Sequence, residues 1–216
     1  MARRGEELRE HILWAAKDVF LEMGFERASM DVVAARAATS KRSLYAHFES
    51  KDRLFLAVVD LSRQLYLGRL KTPEAYSEDA TEAVVLFCGR FLQLLLREPA
   101  LRTCRLGIAE AERLPEASAQ YHEAIFGTSH GRLAAYLSER FQLSAPASSA
   151  AAYEILGCTV NPRLFRALLG VEKPLPEEAD ETTLASDVDL APIRRAVAEL
   201  LPSGDADRAE VHGGDA

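Results

Sequence analysis

The sequence predicts an all-α protein, and three observations carry that expectation. Apolar residues recur at helical spacing in nearly every segment. No stretch alternates apolar and polar residues in the manner of a half-buried strand. Hydroxyl and acidic cap residues, and prolines, punctuate the chain at helix-length intervals. With 216 residues, 48% of them hydrophobic, the chain can build a packed core in one large domain or two small ones.

The elements follow in order, about nine helices in all. Leu8, His11, Ile12, Ala15, Ala16, Val19, Phe20 and Met23 share a face, predicting a helix over about 6–23. Gly24 is expected to close it in a left-handed cap. Ser29 is an N-cap for a short helix over about 30–37, with Asp31 in its first turn. Thr39 and Ser40 can cap a third, over about 40–48, and Ser50 a fourth that runs to about Leu70. Asp79 and Glu82 form a capping box for a helix to about Arg97. Pro99 and Pro115 suit first helical positions, opening helices to about Arg113 and Phe141, the second weakened or bent at Gly127 and Gly131. Ser144–Ser149 reads as a small-residue loop. A helix over about 147–169 is kinked or divided by Pro162. Residues 171–186 are a Pro- and acid-rich loop, and Asp187–Leu201 is the last helix. The polar tail 202–216 is expected to be disordered.

Charge is unevenly placed. The formal total of −7 argues against nucleic acid as a partner of the whole chain. Yet residues 1–53 sum to +1 and residues 54–216 to −8, with +3 inside residues 36–53. An acidic bulk with a locally basic head permits nucleic-acid contact through the head alone. The three cysteines, Cys88, Cys104 and Cys158, are widely spaced and odd in number. They predict neither a disulfide framework nor a zinc site, and a reducing compartment. Buried inert thiols are expected, with only Cys104, between Arg102 and Arg105, in an activating neighbourhood. No apolar run approaches the roughly 20 residues of a membrane span. The charged start of the chain does not read as a signal peptide, so a cytoplasmic location without membrane contact is expected.

Two short helices joined by a tight turn, set against a longer first helix, make a helix-turn-helix whose second short helix enters the DNA major groove. Here that helix is Ser40–Phe48. Leu44 and Phe48 lie four apart and face inward, leaving Lys41, Arg42, Ser43, Tyr45, Ala46 and His47 outside. Cations and hydroxyls serve phosphates, and an arginine fork can read guanine. Lys51, at the start of the next helix, is a further phosphate candidate. The run Ala34–Leu54, with Leu44-Tyr45 and Phe48 followed by Ser50-Lys51 and Leu54, resembles the signature of the TetR (AcrR-like) transcriptional regulators over about residues 8–58. Gly24-Phe25 and Ser29-Met30 also fall at family positions. The resemblance implies DNA contact by Ser29, Thr39, Ser40, Lys41, Ser43, Tyr45, His47 and Lys51; the side chain's chemistry adds Arg42. Three positions depart from the pattern: Ala38 stands where glycine is common, Arg42 where a small residue is, and Ala46 where a larger one is. These change the turn and the reading face.

A single head reads one half-site, so a two-fold homodimer on a palindromic double-stranded operator is expected. Tyr153, Leu156, Val160, Leu164 and Leu168, with Ile193, Val197 and Leu200, are the candidate dimer stripes. Between the middle helices, Phe87, Phe91, Leu94, Leu95 and Cys104 are candidates to line an effector pocket, together with Ile108, Tyr121, Ile125, Phe126, Tyr136 and Phe165. The domain reading is a head over 1–53, a ligand-binding and dimerisation body over 54–201, and the tail. The function expected is a repressor released by a small, apolar or amphipathic effector. The alternatives are an effector-independent regulator or activator and, well behind, an all-helical binding protein or enzyme. No catalytic residue, cofactor or metal is expected: no phosphate loop or metal motif occurs, and His122 and His130 make no convincing ligand set.

Overall fold

The computed structural model describes residues 2–175 and 188–201. The expected tail, most of the acidic loop and Asp187 lie outside those residues. Among the described residues the chain is helical, with no strand. The helices are α1 (Ala2–Arg27), α2 (Met30–Arg36), α3 (Lys41–His47), α4 (Lys51–Leu67), α5 (Ala80–Leu96), α6 (Glu98–Ala109), α7 (Pro115–His122), α8 (Thr128–Arg140), α9 (Ala145–Thr159), α10 (Asn161–Leu168) and α11 (Ala191–Leu200). They gather into two compact units, Met1–Arg69 with Leu96–Gly127, and Leu70–Leu95 with Thr128–Ala216. No boundary falls after residue 53, because α4 packs along α1 while α6 packs on α1 and α7 on α4.

In the first unit local chemistry sets the helix ends. Ser29, Ser40 and Ser50 each accept the N–H three residues on, from Val32, Ser43 and Arg53. Gly24 breaks α1 at φ 76°, ψ 166°, a combination open essentially to glycine, rather than in the expected left-handed cap. The reversal lets Phe25 turn inward. It stacks on Phe20 at 5.6 Å, and Phe55 meets both rings edge-on at 5.3 and 5.1 Å. Ala38 takes φ 46°, so the α2–α3 turn uses an αL residue with a Cβ, as the departure at that position implied.

Several expected elements are shorter or divided. α6 ends at Ala109, and the long helix expected from Pro115 splits into α7, a π-turn over Glu123–Gly127, and α8. At Gly127 a Cβ would fall 2.5 Å from the Glu123 carboxylate, so a larger residue there would require the Glu123 side chain to swing aside. α9 and α10 divide at Val160, just before Pro162. Ser144–Ser149 is not a loop: α9 starts at Ala145, with Pro146 in its first turn, where a missing N–H does no harm. Asp79 caps α5 through the Glu82 N–H at 2.7 Å, but Glu82 turns its carboxylate to Arg194 instead of completing the box.

The second unit is centred on α9, against which α8, α10 and α11 all pack. That packing buries Leu156, Val160, Leu164, Ile193 and Val197. The expected dimer stripes are therefore largely covered within the subunit, because α9 must satisfy three neighbours at once. Leu168 and Leu200 are half-buried, and Tyr153 is 67% exposed. Phe165, Leu169 and Val171 are also exposed. Cys158 is exposed, contrary to the expectation of a buried thiol.

Candidate nucleic-acid interface

Leu44 and Phe48 are buried, as their spacing requires, and this fixes which face of α3 looks outward. On that face Lys41, Arg42 and Ala46 are exposed and Tyr45 is 45% exposed, while Ser43 and His47 are half-buried. Arg42 makes no hydrogen bond or ion pair among the described residues, so its guanidinium fork is available. Ser40 Oγ lies 2.9 Å from Ser43 Oγ, which pins both hydroxyls at the first turn. Thr39 is half-buried in the turn, its N–H donating to Ala34.

Lys41 Nζ stands 2.6 Å from Asp31 Oδ1, with both side chains largely exposed. The carboxylate raises the lysine pKa, first through the hydrogen bond and then through its charge. Such a pair exchanges readily with solvent or phosphate. Ser29, Asp31, Lys41, Tyr45 and Lys51 together wall one shallow depression on the head. Four of the candidate contact residues thus converge there, and Asp31, a negative group in the same surface, was not foreseen in that role.

Lys51 is differently employed from the sequence expectation. Its ammonium donates to the Phe25 and Ala28 carbonyls at 2.9 Å each and to Glu26 at 3.3 Å. It also sits 4.2 Å from the Phe25 ring centroid, with Arg113 on the same ring at 3.7 Å. All three donors serve the end of α1, so the side chain staples the head together. Sequence reasoning missed this because the partners are carbonyls 23 to 26 residues away, which carry no residue signature. The head is further tied by Arg36, bidentate to Glu22 at 3.0 and 2.7 Å, which holds that carboxyl below its usual pKa.

The candidate pocket residues do not share one cavity. Phe87, Phe91, Leu94, Leu95 and Tyr136 are core of the second unit, and Phe165 is 59% exposed. In the first unit Cys104, Tyr121 and Ile125 are buried, Phe126 stacks on His122 at 5.5 Å, and Ile108 is 61% exposed. Phe165 and Ile108 are removed from the pocket set because each lies on the outward face of a short amphipathic helix. Cys104 is not activated: burial raises its pKa more than Arg105 lowers it. His130 Nε2 lies 2.9 Å from the Ser149 carbonyl, its ring stacked on Tyr153 at 3.7 Å. Among the described residues no cluster of three or more His, Cys, Asp or Glu could hold a metal. No described helix is long and apolar enough to cross a membrane.

A capped helix-turn-helix with a basic, outward second helix defines a DNA-binding transcriptional regulator. The description "Bacterial regulatory proteins, tetR family" matches residues 12–58, and "AefR-like transcriptional repressor, C-terminal domain" matches residues 82–191. The chain belongs to the TetR family, a family of regulators and not of enzymes. It is 48% identical over 54 residues to the transcriptional activator FasR of Mycolicibacterium smegmatis, a match covering 25% of each chain. The match thus spans only a quarter of that relative's length. A TetR-family regulator from Mesorhizobium loti superposes with a TM-score of 0.74 at 22% identity, covering 91% of this chain and 96% of the other. The flavonoid-responsive regulator FrrA gives 0.68 at 24% identity, over 90% and 93%. These likenesses show the fold.

Proposed function

We propose that the chain is a homodimeric repressor that binds a palindromic operator through α3 of each subunit and is released by a small effector, acting in the cytoplasm where operator DNA lies. The observation that carries the reading is the outward row Lys41, Arg42 and Tyr45 on a helix anchored by Leu44 and Phe48. Ser29, Thr39, Ser40 and Ser43 add hydroxyls for phosphates, His47 adds a ring N–H, and Arg42 reads a base. Lys51 contributes structure and, through the backbone at the start of α4, a phosphate-facing N–H. The exposed apolar side chains Tyr153, Phe165, Leu169 and Val171 support a dimer surface that shares only Tyr153 with the stripes read in the sequence. Repression is favoured by the AefR-like description, and an effector by the name of FrrA.

Selection of duplexes from a random-sequence pool, followed by sedimentation of the protein with and without the selected duplex, tests this. The expected outcome is a dimer without DNA and an inverted repeat with half-sites about one helical turn apart. A monomer bound to an asymmetric site defeats the proposal.

A further inference from the structure

The reading head carries one group that does not suit phosphates. Asp31, in the first turn of α2, is the one carboxylate among the described residues that wall the depression on the head, beside Ser29, Lys41, Tyr45 and Lys51. Its Oδ1 lies 2.6 Å from Lys41 Nζ, and the side chains of Asp31 and Lys41 are 64% and 60% exposed. Its Oδ2 makes no hydrogen bond among the described residues, so the carboxylate keeps an open accepting edge. Lys41 is the first residue of α3. The ion pair therefore sets Asp31 beside the N-terminal end of α3, the end of a recognition helix whose side chains reach base edges.

The chemistry of the duplex restricts what that carboxylate can meet. Ionised, it only accepts hydrogen bonds. Phosphate oxygens donate none and repel its charge. In the major groove guanine N7 and O6, adenine N7 and thymine O4 are acceptors as well, which leaves the cytosine N4 and adenine N6 amino groups as its complements. The rest of the outward face is built the other way. Lys41 and Arg42 only donate, and the hydroxyls of Ser43 and Tyr45 and the His47 ring can do either. Lys51 turns its ammonium to the carbonyls that end α1. An acid in the first turn also steadies α2, but that role calls for neither the depression nor Lys41.

We propose that Asp31 is a specificity-determining residue, whose Oδ2 accepts the exocyclic amino group of one base in each half-site while Lys41 holds Oδ1. Cytosine is preferred to adenine, because adenine N7, next to N6, repels the carboxylate and cytosine has a C–H there. The inference rests on the reading of α3 as the DNA-facing helix and adds a base-reading residue from outside it. It also gives the acid a second effect. Away from the operator the carboxylate faces phosphates and accepting base edges, and its charge offsets that of Lys41, so DNA lacking the amino group is held less well. The exposed pair rearranges at little cost when a base edge arrives.

Duplexes are selected from a random-sequence pool by the full wild-type chain, by Asp31→Ala and by Asp31→Asn. Affinities are then measured across a salt series for the wild-type operator, for the same operator with the assigned cytosine changed to thymine, and for an unrelated duplex. Thymine puts its O4 acceptor where cytosine has the amino group. That change is expected to cost the wild type about ten-fold and Asp31→Ala less than about two-fold. Asp31→Ala should also bind the unrelated duplex more tightly, with a salt slope steeper by up to about one, as Lys41 turns to a phosphate. Lost discrimination together with gained nonspecific binding is a combination that a folding defect does not produce. Asp31→Asn, which offers adenine an acceptor and a donor, should keep an amino-bearing base at that position and move the preference to adenine. The same selected motif in the wild type and Asp31→Ala, with every duplex bound tighter or every duplex weaker, overturns the base-reading role and leaves α3 as the DNA-facing helix. Relaxation as complete in Asp31→Asn as in Asp31→Ala overturns it too, since charge alone then explains the effect. A wild-type pool with no enriched half-site overturns the reading of α3 and this assignment with it.

Discussion

Lys51→Met separates two roles for one side chain. In the structure its ammonium makes two hydrogen bonds of 2.9 Å and one of 3.3 Å to the carbonyls that end α1, and it caps the Phe25 ring at 4.2 Å. Hydrogen bonds to a charged group contribute about 1.5–3 kcal/mol each. A partly exposed cation–π contact adds about 0.5–1 kcal/mol. Lys51 is half-buried, so water takes over part of the loss. The net destabilisation comes to about 2–3 kcal/mol, or a fall in Tm of about 5–10 °C for a chain of this size. Methionine keeps the apolar stem, so the change isolates the ammonium. Urea unfolding followed by circular dichroism should show a lower midpoint at unchanged slope. The salt dependence of operator binding by the folded variant should stay within a few tenths of wild type. A phosphate-binding Lys51 makes the opposite forecast, with stability within about 0.5 kcal/mol and a salt slope reduced by about one. That pair of results would refute the staple.

Ala38→Gly should raise stability by about 0.5–1 kcal/mol, since relief of the αL strain at φ 46° exceeds glycine's extra unfolded-state entropy; a lower urea midpoint would count against strain in the turn. Arg42→Ala should relax preference at one base pair per half-site at a cost of about 1–3 kcal/mol; uniform weakening over all operator variants would make Arg42 a phosphate contact. Burial pushes the Cys88 thiol up to about 12. It therefore stays protonated in the fold while the unfolded chain's thiol ionises near pH 8.5, at about its ordinary value. Its share of stability is whole below about pH 8.5 and declines as pH rises toward 12, by up to about 1.4 kcal/mol per unit. Cys88→Ala should accordingly narrow its stability gap to the wild type by about 2 kcal/mol between pH 8 and 10; a constant gap would contradict the burial of that thiol.

What the sequence made legible is mostly local. Ser29, Ser40 and Ser50 cap the N–H three residues on, and Leu44 and Phe48 face inward because four residues make about one turn. Pro162 marks the division of α9 from α10 for a steric reason visible in one residue. The failures share a different cause. Lys51 was assigned to phosphate by its place at a helix start, yet its partners are distant carbonyls. Val160, Leu164, Ile193 and Val197 form genuine apolar stripes, but periodicity says only that a stripe is covered, not whether by the same chain or by another. Tyr121 could be placed among pocket candidates by its ring, whereas its burial depends on α7 packing against α4 and α6. The head's reading face, built from one short helix, was the part of the candidate site most open to sequence reasoning.

The central claim is that α3 is the element that meets DNA. Hydrogen exchange of the full chain with and without the selected operator duplex tests it most directly. Added protection over residues 39–47 and at Ser29–Asp31 is the predicted result. Protection confined to other helices, with α3 exchanging as in the free protein, would contradict it.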